Sequence, residues 1–174
     1  MTKNIETKLE HLLTSSHKAE MIDYMESHPG DFTELIKLAI ADKQPYSWRA
    51  AWLLWSCMDK NDKRVRKYLK KKIDILPERK DNQQRELLMS LQRMELNNEF
   101  EGQLFDVCTK IWEQTGKNPS LRYNALKILV SISKINPELT REIKTLTESY
   151  YTHTLSDSVK KSITKLTKDL TKKE

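Results

Sequence analysis

Glycine and proline are scarce, with 3 Gly and 5 Pro in 174 residues. Tight turns between strands draw on those residues, so a strand-rich protein is poorly served by this composition. Each proline (Pro29, Pro45, Pro77, Pro119, Pro137) falls where a helix would start or stop. The two cysteines, Cys57 and Cys108, lie in separate segments without the paired spacing of a zinc or thioredoxin-type site. They read as buried free thiols in a reducing compartment. No apolar run approaches the roughly 18 residues that span a bilayer. Residues 1–13 alternate charged and apolar side chains, without the continuous apolar stretch of a secretion signal. A cytoplasmic location with no membrane partner is expected.

Catalytic signatures are missing too. His11, His17, His28 and His153 are scattered, form no His-Glu-x-x-His pair and lack companions at metal-ligand spacing. There is no glycine-rich phosphate loop and no Gly-x-Ser-x-Gly nucleophile elbow. No metal and no cofactor is expected, and no catalytic residue is assigned on this reading.

What is abundant is charge interleaved with apolar residues: 32% charged and 37% hydrophobic, the balance of amphipathic helices that each bury one stripe. The net charge is +6, so the surface attracts anionic partners.

Along the chain, Ile5, Leu9, Leu12 and Leu13 recur at helical spacing, then Met21, Ile22 and Met25. Asp31 with Glu34 is placed as a capping box for a helix through Phe32, Leu35, Ile36, Ala39 and Ile40. Residues 45–60 hold Trp48, Ala51, Trp52, Leu54, Trp55 and Met58 with almost no polar face, which predicts a helix covered on most sides. After a cap at Asn61–Asp62, the stripe Val65, Tyr68, Leu69, Ile73 and Leu76 predicts one helix carrying Lys63, Arg64, Arg66, Lys67, Lys70, Lys71 and Lys72 on its other faces. Further segments are expected over 87–96, 100–112, 121–135 and 139–151, with a last narrow seam at Val159, Ile163, Leu166 and Leu170.

The chain also repeats itself. Arg49, Arg85 and Arg122 stand 36 and 37 residues apart, with apolar residues aligned at the third and fourth positions after each. Asn61, Asn97 and Asn136 fall at the following joints, and Tyr68, Leu104 and Ile143 match in the next helix. Such units cover one another's apolar faces by stacking. With the Arg-Ala-Ala-Trp-Leu-Leu run at 49–54, this pattern resembles small bacterial members of the HEAT-like, armadillo-like repeat family. The resemblance implies an all-α, right-handed α-α superhelix of about nine helices in one domain over residues 1–174. Repeat units are expected at about 17–44, 45–80, 81–118 and 119–152, with terminal helices 3–13 and 156–172 as caps.

Four sets of residues are candidates for function. Trp48, Trp52 and Trp55, at i, i+4 and i+7, share a face and could form a binding platform, although core packing is the preferred reading, with Trp48 the most accessible. Arg49, Arg85 and Arg122 could line a groove for carboxylates or brace the stack, and bracing is preferred. The basic patch Lys63, Arg64, Arg66, Lys67, Lys70 and Lys71 could meet phosphates, but a solvated face is preferred. Resemblance to the HEAT-like alkylpurine DNA glycosylases implies a catalytic alternative, with Trp55 and Asp59 one turn apart and Arg93 assisting. The favoured function is a non-catalytic scaffold or binding module for an unidentified protein or acidic peptide, as monomer or weak dimer, with nucleic acid the less favoured partner.

Overall fold

The computed structural model describes residues 6–170, and the chain divides into two compact units, Met1–Glu95 and Leu96–Glu174. Among the described residues the regular structure is α-helix and short 3-10 turns, without strand. The boundary at Glu95–Leu96 falls inside the repeat unit expected at 81–118, between its two helices. Residues 3–5 and 171–172 of the expected terminal helices, Ile5 among them, lie outside the described residues.

In the first unit, α1 (Lys8–Ser15) begins later than position 3 because Thr7 caps it: Thr7 Oγ1 accepts from Glu10 N and Glu10 Oε2 accepts from Thr7 N. That reciprocal pair satisfies two end amides that no helical carbonyl reaches. The helix α2 (Lys18–Ser27) runs to a 3-10 turn at Pro29–Asp31, and α3 (Phe32–Ile40) follows. Asp31 does not form the expected capping box. Its backbone is already helical in the 3-10 turn, and its Oδ2 accepts the Tyr24 hydroxyl at 2.6 Å. That bond, more than burial, pushes the Tyr24 phenol up to about 12.

The centre of the unit is α4 (Tyr46–Cys57), which packs on α3, on α7 (Asp81–Leu91), and more lightly on α1 and α2. Ala50, Ala51, Leu53 and Leu54 of α4 are fully buried, as are Leu35, Ile36 and Ala39 of α3 and Leu87 and Leu88 of α7. Each such leucine or isoleucine stabilises the fold by about 1.5–3 kcal/mol relative to exposure. Polar groups lock the sandwich as well: the buried Gln83 amide of α7 donates to the Ala39 and Ala41 carbonyls at the end of α3, where Arg79 donates to Ile40 O. Carbonyls left over at the C-terminus of α3 are thereby satisfied from another helix.

The basic segment is two helices, α5 (Lys63–Arg66) and α6 (Leu69–Ile75), where one was expected. Tyr68 N donates to Val65 O, tightening the chain into a three-residue turn between them. Asp62 caps α5 as expected, accepting from Arg64 N. Asn61 has φ of 55°, the left-handed region that asparagine tolerates better than most residues. It is held there by its own amide donating to Arg93 O at 2.7 Å and by its Nδ2 donating to Glu95 Oε2.

The second unit pairs α8 (Asn98–Glu113) with α9 (Pro119–Ile135), against which α10 (Thr140–Leu146) and α12 (Asp157–Thr167) also pack. The expected helix over 139–151 is broken, because Glu148 turns extended at ψ of 165° and caps a separate α11 (Ser149–Thr152). These two breaks account for most of the difference between about nine expected helices and the twelve α-helices among the described residues. Trp112 is fully buried, and its Nε1 donates to Leu146 O at 2.7 Å. No helix among the described residues is long and apolar enough to cross a membrane.

Lys72, counted in the sequence among the surface cations, is instead fully buried in α6, and its Nζ has no hydrogen-bond partner. Burial disfavours the ammonium form and brings its pKa from 10.5 down to about 7. Between about 7 and 10.5 the unfolded chain therefore holds a proton that the folded chain has released. Stability should rise with pH across that window, by at most about 1.4 kcal/mol per pH unit from this one site. Lys72→Met should remove that slope and raise stability near neutral pH by about 1–3 kcal/mol. Denaturant titrations of both proteins at pH 7 and pH 9.5 check this; equal slopes in the two would contradict it.

Candidate functional site

The tryptophans of α4 do not fill the core. The small and branched residues Ala50, Ala51, Leu53 and Leu54 occupy the face between α3 and α7, which leaves Trp48, Trp52 and Trp55 half-buried on the opposite side. There they line a cleft of about 550 Å³ in the first unit. Arg49 also comes from α4; Ser16, His17, Lys18 and Met21 come from the end of α1 and the start of α2; Arg85 and Glu86 come from α7. The preferred expectation of a tryptophan core is corrected accordingly. An apolar face all round a helix shows that much of it is covered, but not which side stays open.

The cleft has an aromatic wall with cations around it. Trp52 and Trp55 meet edge to face, 6.4 Å between centroids at 76°. Lys18 Nζ lies 5.1 Å from the Trp52 centroid and the Arg49 guanidinium 5.3 Å from that of Trp48, both within cation–π range. Glu86 is the carboxylate among the lining residues, and its side chain is only 4% exposed. Its Oε2 accepts from Trp55 Nε1 and its Oε1 from Arg85 Nη1, each at 2.6 Å. Lys18, Arg49 and Arg85 thus face a single carboxylate, and the cleft is net cationic.

The three repeat-register arginines have three different fates. Arg49 Nη1 donates to Leu13 O at 2.8 Å, which braces α4 on α1, while its buried Nε has no partner. Arg85 lines the same cleft, paired with Glu86. Arg122 is fully buried in the second unit. Its Nε donates to Trp112 O and its Nη2 to Tyr151 O, with the guanidinium 4.6 Å over the Trp112 ring. It therefore braces its unit and offers no surface to a ligand, so the groove reading of Arg122 is withdrawn.

The glycosylase-like trio is not assembled. Helix α4 ends at Cys57 and Met58 is extended, so Asp59 is not one helical turn beyond Trp55. Asp59 is exposed, its amide donates to Asp62 Oδ2, and Trp55 is directed to Glu86. Arg93 lies past the end of α7 and takes part through its backbone carbonyl, at the Asn61 joint.

Much of the basic patch is engaged in its own neighbourhood. Arg64 forks onto Asp62 through Nε and Nη2 at 3.0 and 2.7 Å, and its guanidinium lies 3.5 Å from the Phe32 centroid. Arg66 donates to Asn61 Oδ1, Lys70 pairs with Asp74 at 3.0 Å, and Lys67 sits 5.2 Å over the Tyr68 ring. Lys63 and Lys71 are exposed.

The sequence reading missed a second cleft, about 480 Å³, in the second unit. Phe105, Ile132 and Leu139 line it together with Glu101, Asp106, Glu138 and Glu142. Its members come from α8, the end of α9 and the segment after it, so only their charge, and not their convergence, was visible in the chain. Among the described residues no group of three or more His, Cys, Asp or Glu side chains is placed to hold a metal ion. Neither thiol is activated: burial pushes Cys57 up to about 11 and Cys108 higher still.

Burial separates the tryptophans energetically. Trp112→Ala should cost about 3–5 kcal/mol, the usual penalty for emptying a closed aromatic site. Trp52→Ala should cost less, about 1–3 kcal/mol, because its ring is only partly withdrawn from solvent. Chemical denaturation of the two variants decides this, and equal losses would return Trp52 to the core.

The HEAT repeat domain family matches residues 5–170, nearly the whole chain. No curated protein and no solved structure gives a significant match. The helical repeat register, the all-helical fold and the extent of the family match agree, and the chain belongs to the HEAT repeat domain family.

Proposed function

We propose that this protein is a non-catalytic interaction module that binds a protein partner through the tryptophan cleft of its first unit. The observation that carries the reading is three tryptophans on one face of α4, left half-exposed around a cleft of about 550 Å³. A chain that buries Trp112 completely keeps three other large aromatics at the surface, where they offer apolar area at low conformational-entropy cost. Tryptophan and arginine together are the residues most enriched where protein partners bind tightly. Repeat proteins of this kind present surfaces rather than closed reaction chambers.

Two features weigh against catalysis and against duplex DNA. The cleft's carboxylate, Glu86, is held by Trp55 and Arg85 and is not poised beside a nucleophile. Arg64 and Lys70 in the basic patch are bound to acids of their own segment, which leaves fewer charges to displace counterions from a phosphate backbone.

Site-specific crosslinking tests the reading. A photo-crosslinking residue in place of His17, exposed at the cleft, should give discrete protein adducts in cells. The adducts should be lost when Trp52→Ala is added. The same residue in place of Ile135, 67% exposed in the second unit, should not give that adduct pattern. Adducts to nucleic acid at position 17, or adducts indifferent to Trp52→Ala, would contradict the proposal.

A further inference from the structure

Resting on that reading, we infer that the cleft's ligand is an acidic peptide segment. One carboxylate of the segment is taken by Arg49 and Lys18, and an adjacent aromatic or branched apolar side chain packs against Trp52 and Met21.

The cations set the sign of the ligand. Lys18 is exposed at the mouth, and its ammonium is held only over the Trp52 ring, so an incoming carboxylate meets it without first displacing an internal acid. Arg49 is anchored at one corner, Nη1 to Leu13 O, which fixes the guanidinium plane. Its Nε is buried without an acceptor, so a ligand oxygen meets the guanidinium at the part of Arg49 that borders the cleft. A planar, permanently charged guanidinium held at one corner suits a carboxylate in geometry as well as in charge.

Glu86 shows the same chemistry already at work within the cleft. It is a carboxylate accepting from an arginine and from a tryptophan indole at 2.6 Å each. Trp48, seven residues and about two turns before Trp55 on α4, and the adjacent Arg49 offer a comparable pair, with no carboxylate of the cleft lining taken by them.

The aromatics select for the apolar neighbour. Trp52 and Trp55 stand at 76° to one another, so they form a corner and not a parallel stack. Successive nucleobases need faces on which to lie in series, whereas a corner floored by Met21 receives a single bulky side chain. A peptide is therefore favoured over a single-stranded nucleic acid, although both carry negative charge.

The test uses the full chain and fluorescein-labelled probes read by anisotropy. The probes are a twelve-residue peptide alternating Glu with Phe, its Gln-for-Glu counterpart, its Ala-for-Phe counterpart, and an oligo-dT of equal length. The Glu–Phe peptide should bind, and both counterparts should bind at least about tenfold more weakly, a difference of one decade in Kd. Arg49→Gln should erase the preference for Glu over Gln. Because Arg49 also braces Leu13, Lys18→Gln provides a second variant at an exposed position, expected to weaken the Glu–Phe peptide severalfold while leaving the Gln–Phe peptide unchanged. Equal binding of the Glu and Gln peptides, tighter binding of oligo-dT, or no binding of the Glu–Phe peptide would each overturn the inference. Crosslinked protein at position 17 alongside any of those outcomes would leave the interaction reading standing and remove only the ligand chemistry.

Discussion

The close packing of α4 between α3 and α7 governs the rest of the first unit. Helices approach to a short separation only where the facing side chains are small or interdigitate well. Ala50 and Ala51 meet that requirement, with Leu53 and Leu54 filling the flanks, all four without solvent exposure. Three indoles could not share that face without forcing the helices apart, so they stand on the side that remains. The open cleft is the geometric remainder of a tightly packed sandwich, and Gln83 and Arg79 hold the sandwich shut at the end of α3.

The fate of each cation follows from what its neighbours supply. Arg122 is surrounded by backbone carbonyls and an indole face and becomes structural. Arg85 finds Glu86, Arg64 finds Asp62 and Lys70 finds Asp74. Lys72 finds only burial, and its charged form is disfavoured. A net charge of +6 spread over the chain therefore says little by itself. What concentrates positive potential at the cleft is that Lys18, Arg49 and Arg85 meet there with one carboxylate among them.

Helix positions were legible because apolar spacing of three and four residues survives any tertiary arrangement; α3, α4, α8 and α9 lie close to where the stripes placed them. Breaks inside stripes were not legible. Lys67–Tyr68 carries no proline or glycine, and the tightening there is a local hydrogen-bond choice without a compositional mark. The repeat arginines were found by their register, yet register fixes only a backbone position. Whether the guanidinium there is enclosed, as in Arg122, or borders a cleft, as in Arg49, depends on helices far away in the sequence. The tryptophan helix shows the same limit: apolar residues on most sides of 45–60 predict a covered helix but do not say which side stays open, although Ala50 and Ala51 in the run at 49–54 favour close approach. Asp59 failed as a partner for Trp55 because the helix ends at Cys57, two residues before the spacing could operate.

The most direct measurement of an open tryptophan face is quenching of native fluorescence by acrylamide, a neutral probe indifferent to the cleft's charge. With three half-exposed tryptophans and one fully buried, the native emission should divide into a quenched fraction that disappears in a Trp48→Phe, Trp52→Phe, Trp55→Phe triple variant and a protected fraction that remains with Trp112. Protection of all four tryptophans in the native protein, with the triple variant no less quenchable than the parent, would mean that the face is closed and that no cleft is offered to a partner.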